Sequence, residues 1–297
     1  MKVIDILGRT VKLHEWGISC EGDARHRAII MERFGLNEES KALSMNGYKD
    51  VKIEGEFDKV DLNADETKDY RALAARVNYI AQDNPCVQFA AKEICRSMAK
   101  PLLEDFQKVK KLARFMIGMK VVQFDYAWQD EDEAIKLEIF VDSDWAGCMR
   151  TRRSTSGGLI KLGKHTLKTW SVTQAIVAMS SAEAELYAMT EGATRGIGLK
   201  TMIGELGVIV QFVELYTDSA AAKSFASRRG TGRMRHIEVK ELWLQEAVKA
   251  GSVKLRKVIG FDNPADMLTK YLNFGTLCRL CKSVTISIIM GWYGTSR

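Results

Sequence analysis

The sequence predicts an α/β fold: a mixed sheet of five strands with helices packed on it, preceded by a mostly helical segment. Three observations carry this. Near residue 120 the hydrophobic pattern changes from helical spacing to short extended runs. From residue 135 the order reads as three consecutive strands, then helix and strand in alternation, which suggests a mixed sheet with helices packed on it. Four acids, Asp142, Glu185, Asp218 and Asp266, fall at strand ends or helix starts, where a β/α sheet aims side chains at one point.

In chain order, His26 to Phe34 followed by Gly35 reads as a short helix with a glycine stop. Residues 40–68 are polar and weakly periodic, and read as loop. Leu73, Val77 and Ile80 give helical spacing to 70–80, and 86–98 and 102–119 repeat it, with Pro101 as the break between them. Residues 121–128 look extended, and 129–133 form an acidic turn where we place a boundary. Three strands follow from residue 135, the first at 135–141. Then come a long helix at 181–206, a strand at 212–217, helices at 219–228 and 236–250, a strand at 252–258 and a last helix at 263–272. The chain thus divides into 1–134, 135–272 and a tail, 273–297, that matches no pattern.

The 297 residues carry a net charge of +6 and a hydrophobic fraction of 46%, enough for a sizeable core and leaning toward a polyanionic partner. The six cysteines are scattered and show no disulfide framework. This points to a reducing intracellular setting, without separating a cytoplasmic particle from the nucleus. Cys278 and Cys281 form a lone CxxC that lacks further ligands for zinc. No signal pattern opens the chain, and the apolar stretch 284–290 is too short to span a bilayer, so no membrane partner is expected.

Taken singly, each acid has a bland reading. Asp142 closes the strand-like run 135–141, where an aspartate also serves turn chemistry, and spacing alone does not choose between it and Asp144. Asp218 could cap the helix that follows it, and Asp266 could simply favour a helix N-terminus. Glu183 and Glu185 separate on physical grounds. Ser180 and Glu183 have capping-box spacing, in which Glu183 returns to the cap's amide. Glu185 lies about 200° further round the helix, on the face that continues through Met189. An acid among apolar neighbours needs a partner, best supplied by a cation. Clustered carboxylates are costly to hold together, and hard divalent cations such as Mg²⁺, which take oxygen ligands, offset that cost.

The wording around these acids resembles the ribonuclease H domain of copia-type retrotransposon polyproteins. The matching stretches are Asp142-Ser-Asp-Trp-Ala-Gly147, Ser180-Ser-Ala-Glu-Ala-Glu185, Thr217-Asp218-Ser219 and Ala265-Asp-Met-Leu-Thr-Lys270. Arg153 to Gly158, Trp170 to Gln174 and Arg235-His236-Ile237-Glu238 add to it. His236 reads as structural, because one histidine at a helix start is more often packed or capping. Upstream, 70–73, 88–91 and 110–116 resemble the segment joining reverse transcriptase to ribonuclease H, and 26–35 the end of the polymerase region.

The resemblance implies a ribonuclease H-like fold for 135–272, preceded by a reverse transcriptase C-terminal and connection remnant. It implies Asp142, Glu185, Asp218 and Asp266 as catalytic residues and ligands of two Mg²⁺ ions, with Mn²⁺ as the alternative ion. The substrate it implies is the RNA strand of an RNA–DNA hybrid, and the protein partner is the missing reverse transcriptase domain, since no Tyr-x-Asp-Asp signature occurs. Arg150, Arg152 and Arg153, with Arg228, Arg229, Arg233 and Arg235 around two loop glycines, are suited to phosphates. The alternative from another class is a catalytically silent nucleic-acid-binding or connection module of a decayed element.

Overall fold

The computed structural model describes residues 2–47, 60–133, 135–230, 237 and 239–290. The chain divides into two compact units. One comprises residues 1–126, 271–282 and 286–297; the other comprises 127–270 and 283–285.

In the first unit, β1 (Lys2–Ile6), β2 (Arg9–His14) and β3 (Gly17–Glu21) form an antiparallel meander, where the sequence had offered no assignment. Four helices follow: α1 (Ala24–Arg33), α2 (Ala64–Ala81), α3 (Pro85–Cys95) and α4 (Leu103–Gly118). The expected loop at 40–68, of which 48–59 lie outside the described residues, therefore ends before residue 64. The Asn63 side chain accepts from Glu66 N while Glu66 returns to Asn63 N, and this capping box starts α2 at residue 64. Tyr70, wholly buried, donates from its hydroxyl to the Ile94 carbonyl at 2.7 Å and ties α2 to α3. Leu73, Val77, Leu112, Phe115 and Met116 fill the core, each such side chain contributing about 1.5–3 kcal/mol by burial. Residues 273–290, unassigned from sequence, include α8 (Phe274–Ser283) and β10 (Ile286–Met290). β10 pairs antiparallel with β4 (Met119–Ala127).

The second unit is a mixed sheet in the order β7-β6-β5-β8-β9. Its strands are β5 (Lys136–Asp144), β6 (Thr155–Leu162), β7 (His165–Thr173), β8 (Phe212–Thr217) and β9 (Lys254–Lys257). The first three pair antiparallel, then β5 pairs parallel with β8, and β8 with β9. This is the mixed five-stranded sheet with flanking helices that the ribonuclease H-like expectation requires. The helices are α5 (Ser181–Glu205), α6 (Ala220–Ala226) and α7 (Val239–Lys249). Strand β5 is central because both of its edges are paired and Leu137, Ile139 and Val141, at period two, are wholly buried. They pack in one core with Leu186 and Met189 of α5, Leu215 of β8, Phe225 of α6 and Leu244 of α7.

Helix α5 approaches this sheet closely at two glycines. A Cβ on Gly192 would stand 2.5 Å from Val141 Cγ1, and one on Gly196 would overlap the Ile139 side chain. The expected last helix, 263–272, is corrected: residues Pro264–Leu268 form a 3-10 turn that ends at Thr269. Asn263 sets its start, accepting from Ala265 N at 3.2 Å while its own amide donates to the Val141 carbonyl of β5 at 2.9 Å.

Candidate active site

The central strand carries Asp142 to the edge of the sheet. β5 runs two residues past it, with Asp142 opposite Gly157 of β6. That glycine makes room for the 264–269 segment, since a Cβ there would stand 2.6 Å from Thr269 Cγ2. Asp142 is 5% exposed and accepts a short hydrogen bond from the Thr269 hydroxyl, itself wholly buried. The choice between Asp142 and Asp144 is made by the turn that follows. Asp144 folds over Gly147, where an added Cβ would overlap its carboxylate, while Asp142 joins the other acids.

Helix α5 delivers Glu185. Its N-cap is Ser180, which accepts from Glu183 N at 3.2 Å. Glu183 returns one residue further than a capping box predicts: its Oε2 accepts from Met179 N at 3.0 Å, not from the cap's amide, and Tyr187 donates to its Oε1. Glu185 lies on the sheet-facing side of the helix, 8% exposed. Its Oε1 accepts from Ser143 N at 3.2 Å, and its Oε2 is buried without a hydrogen-bond partner.

Asp218 follows β8. The capping alternative falls to its neighbour, because Ser219 is the N-cap of α6 and accepts from Ala222 N. Carboxylate oxygens of Asp142, Glu185 and Asp218 all lie within 4.8 Å of one another, a grouping able to hold a metal ion. Asp266 stands outside that triad. Lys270 Nζ lies 3.0 Å from Asp266 Oδ1 and 3.9 Å from Asp142 Oδ2.

The electrostatics follow from this crowding. Burial, then Asp142 and Asp218, push the Glu185 carboxyl up to about 9. Burial and the Asp142 charge raise Asp218. Burial and Asp142 likewise raise Asp266 to about 6, against the opposing pull of Lys270. Carboxyl groups held in this way call for a cation. The donor set fits a hard divalent ion: carboxylate oxygens only, one of them buried and unpartnered. Asp142, Glu185 and Asp218 are the residues placed to hold it.

Arg150, Arg152 and Arg153 are exposed in the β5–β6 connection, held there by Arg152 N donating to the Cys148 carbonyl at 2.7 Å. Arg228 and Arg229 are exposed after α6, with the Arg228 guanidinium 4.8 Å from the centre of the Phe225 ring. Arg233, Arg235 and His236 lie outside the described residues.

Three residues the sequence reading gave no role sit in or beside the cluster. Thr269 and Lys270 belong to the quoted Ala-Asp-x-x-Thr-Lys wording, and that wording was their signal. Gln174, 7% exposed, donates to Ser156 Oγ at 3.0 Å and to the Ala184 carbonyl at 2.8 Å, joining β6 and β7 to the start of α5.

An α/β domain with a convergent acid cluster is thus what the second unit presents. No family model matches the chain. It is similar to the retrovirus-related Pol polyprotein from transposon TNT 1-94 of Nicotiana tabacum, 31% identical over 198 residues, which is 66% of this chain and 15% of the relative. It is also similar to the retrovirus-related Pol polyprotein from transposon RE1 of Arabidopsis thaliana, 26% identical over 207 residues, covering 69% of this chain and 14% of the relative. The chain is therefore a homologue of transposon Pol polyproteins, as its motifs imply, and spans a small part of the length of those it matches. Among solved structures, the RNase H1 of the halophilic archaeon Halobacterium salinarum is 15% identical with a TM-score of 0.34, covering 45% of this chain and 94% of that one. At that score the superposition adds nothing to the strand order, on which the fold rests. Among the described residues, no helix is long and apolar enough to cross a membrane.

Proposed function

We propose that the second unit is a divalent-metal-dependent endonuclease that hydrolyses the RNA strand of RNA–DNA hybrids, and that it serves reverse transcription within a retrotransposon polyprotein. The observation that carries this reading is the convergence of Asp142, Glu185 and Asp218 within 4.8 Å, drawn from three separate elements. Within it, Glu185 faces two other carboxylates and keeps one oxygen buried without a hydrogen-bond partner.

Asp142, Glu185 and Asp218 would hold Mg²⁺, with Asp266 available beside Asp142 for a second ion. Bound there, Mg²⁺ would lower the pKa of a water and offset charge on the phosphoryl oxygens. The remaining work belongs to the chain. Thr269 fixes the Asp142 carboxylate by hydrogen bonding to it. Ser143 N fixes one oxygen of Glu185 and leaves the other free for a ligand. Arg150, Arg152, Arg153, Arg228 and Arg229 are exposed and suited to backbone phosphates, with Arg233 and Arg235 expected to join them. Selection of RNA would rest on its 2′-hydroxyls and on duplex shape.

The test is cleavage of a labelled RNA–DNA hybrid with and without Mg²⁺, with Glu185→Gln as control. Mg²⁺-dependent cutting of the RNA strand that the substitution abolishes supports the reading. Hybrid binding without cutting, at any concentration of Mg²⁺ or Mn²⁺, would leave the silent nucleic-acid-binding module instead.

A further inference from the structure

The four acids do not form one uniform set. Carboxylate oxygens of three lie within 4.8 Å of one another, and the fourth acid, Asp266, lies outside that group and pairs with a lysine. The Lys270 ammonium lies between Asp266, at 3.0 Å, and Asp142, at 3.9 Å. We propose that Lys270 is a tethered counter-cation: in the free protein it neutralises the Asp142–Asp266 side of the site and so competes with a second divalent ion for that position. The inference rests on the metal-binding reading above and deepens it.

The backbone delivers the ammonium to this place. Lys270 follows directly on Thr269, whose hydroxyl is bound to Asp142, and stands four residues after Asp266 across the short 3-10 turn. Its side chain is 37% exposed, so it has a way out into solvent. Lysine suits the role for a chemical reason. Its ammonium is a compact charge on a flexible stem and can swing away, whereas a guanidinium would lock both carboxylates in a bidentate clasp. Lys257, which also acts on Asp218, donates instead to the Asp218 main-chain carbonyl. The two halves of the cluster therefore meet metal differently. The Asp142–Glu185–Asp218 side has a buried carboxylate oxygen waiting for a partner. The Asp142–Asp266 side already has a positive charge on it. The first ion enters a site short of cations, and the second must displace one. A hybrid would assist that displacement, because its phosphate offers Lys270 another anion.

The experiment is a Mn²⁺ titration of the whole chain without nucleic acid, followed by electron paramagnetic resonance or calorimetry, on the unaltered protein, Lys270→Met and Lys270→Arg. The expected result is one tightly held ion in the unaltered protein. Lys270→Met should keep that ion and bind a second one roughly tenfold or more tighter than the unaltered protein does, since it removes a competing charge at about 4 Å. Lys270→Arg should not gain the second ion. Identical isotherms for Lys270→Met and the unaltered protein overturn the proposal, as does a gain of the second ion in Lys270→Arg, since charge would then not be the cause. Loss of the first ion in Lys270→Met also overturns it, by making the lysine a scaffold for the triad. If none of the three proteins binds Mn²⁺, the metal reading itself falls, an outcome distinct from the others.

Discussion

Glu214 and Glu185 are both buried, at 6% and 8% exposure, in the same unit. Their surroundings are opposite. Glu214 of β8 receives two hydrogen bonds from Arg256, at 2.7 and 3.1 Å, and one from the Tyr216 hydroxyl at 3.0 Å, with Lys136 3.6 Å away. Burial alone would raise its carboxyl, but these partners outweigh burial and hold it below the usual range. Glu185 faces Asp142 and Asp218, takes one main-chain N–H, and is pushed up to about 9. One strand spans both environments: four residues after Glu214, β8 gives way to Asp218, whose carboxyl is raised. Of these two buried carboxylates, Glu214 is matched by cations and Glu185 is set against other acids.

The largest break in this comparison is in activity. Glu185→Gln and Asp142→Asn should each lower hybrid cleavage by about a hundredfold to a thousandfold, as loss of one electrostatic stabiliser of the transition state does. Glu185→Gln should at the same time stabilise the metal-free protein by about 1–2 kcal/mol, the usual trade between activity and stability. Glu214→Gln should do the reverse, keeping cleavage and costing about 1 kcal/mol, a modest figure because Arg256 is half exposed. Hybrid cleavage and thermal melts on the three variants decide this, and an active Glu185→Gln would remove the distinction.

pH should sharpen the contrast. Glu185 titrates near 9 folded and near 4.5 unfolded, so between those values the folded state holds the extra proton, and stability from this group falls as pH rises. Glu214 is shifted down, so its contribution is present above about 4.5 and is lost as pH falls through its lowered value. Metal-free melts should therefore drop from pH 5.5 toward pH 9, and saturating Mg²⁺ should raise the melting temperature far more at the upper end of that range. A Mg²⁺ effect equal at both ends would argue against an ion beside Glu185.

Glu183 offers a smaller test, two residues from Glu185 and likewise buried. Glu183→Ala removes the acceptor of Met179 N and of the Tyr187 hydroxyl. It should cost about 0.5–2 kcal/mol in melts, as a lost cap does, with cleavage retained at permissive temperature. An inactive variant with unchanged melting would exchange the roles of the two glutamates. The smallest effect is expected at the arginines. Replacing Arg228 and Arg229 by alanine should weaken all hybrids alike and reduce the slope of log K against log salt by about 0.7–0.9 per lost phosphate contact. An unchanged slope would mark them as solvated surface.

The parts of this molecule that repeat a local pattern are legible in the sequence. Leu137, Ile139 and Val141 announce a central strand by period two, and Ser180 announces the start of α5. The acids draw notice in the sequence by their places at strand ends and helix starts and by family wording, and three of them, Asp142, Glu185 and Asp218, converge. Strand β1 is not legible, because all five of its side chains are exposed and no buried-polar alternation marks it. The 3-10 turn at 264–268 begins with the Asn-Pro wording of a helix. It ends at Thr269, whose hydroxyl bonds to Asp142 across 127 residues, a tertiary bond that no local pattern contains. The position of Lys270 is hidden for the same reason. In α8 the helical spacing of Leu277, Leu280 and Cys281 is present, and the sequence reading passes over it.

Gly192 and Gly196 turn α5 into one jaw of a calliper. The helix lies on β5 at Val141 and Ile139 with no side chain between, and Glu185 sits on the same helix, about 10 and 16 Å up its axis from the two glycines. A methyl group at either position would act as a wedge under a rigid rod. It would lift that end of the helix and change the gap between the Glu185 and Asp142 carboxylates without touching either acid. The separation of the Glu185 and Asp142 carboxylates is thus open to change at two residues that have no side chain and touch neither acid.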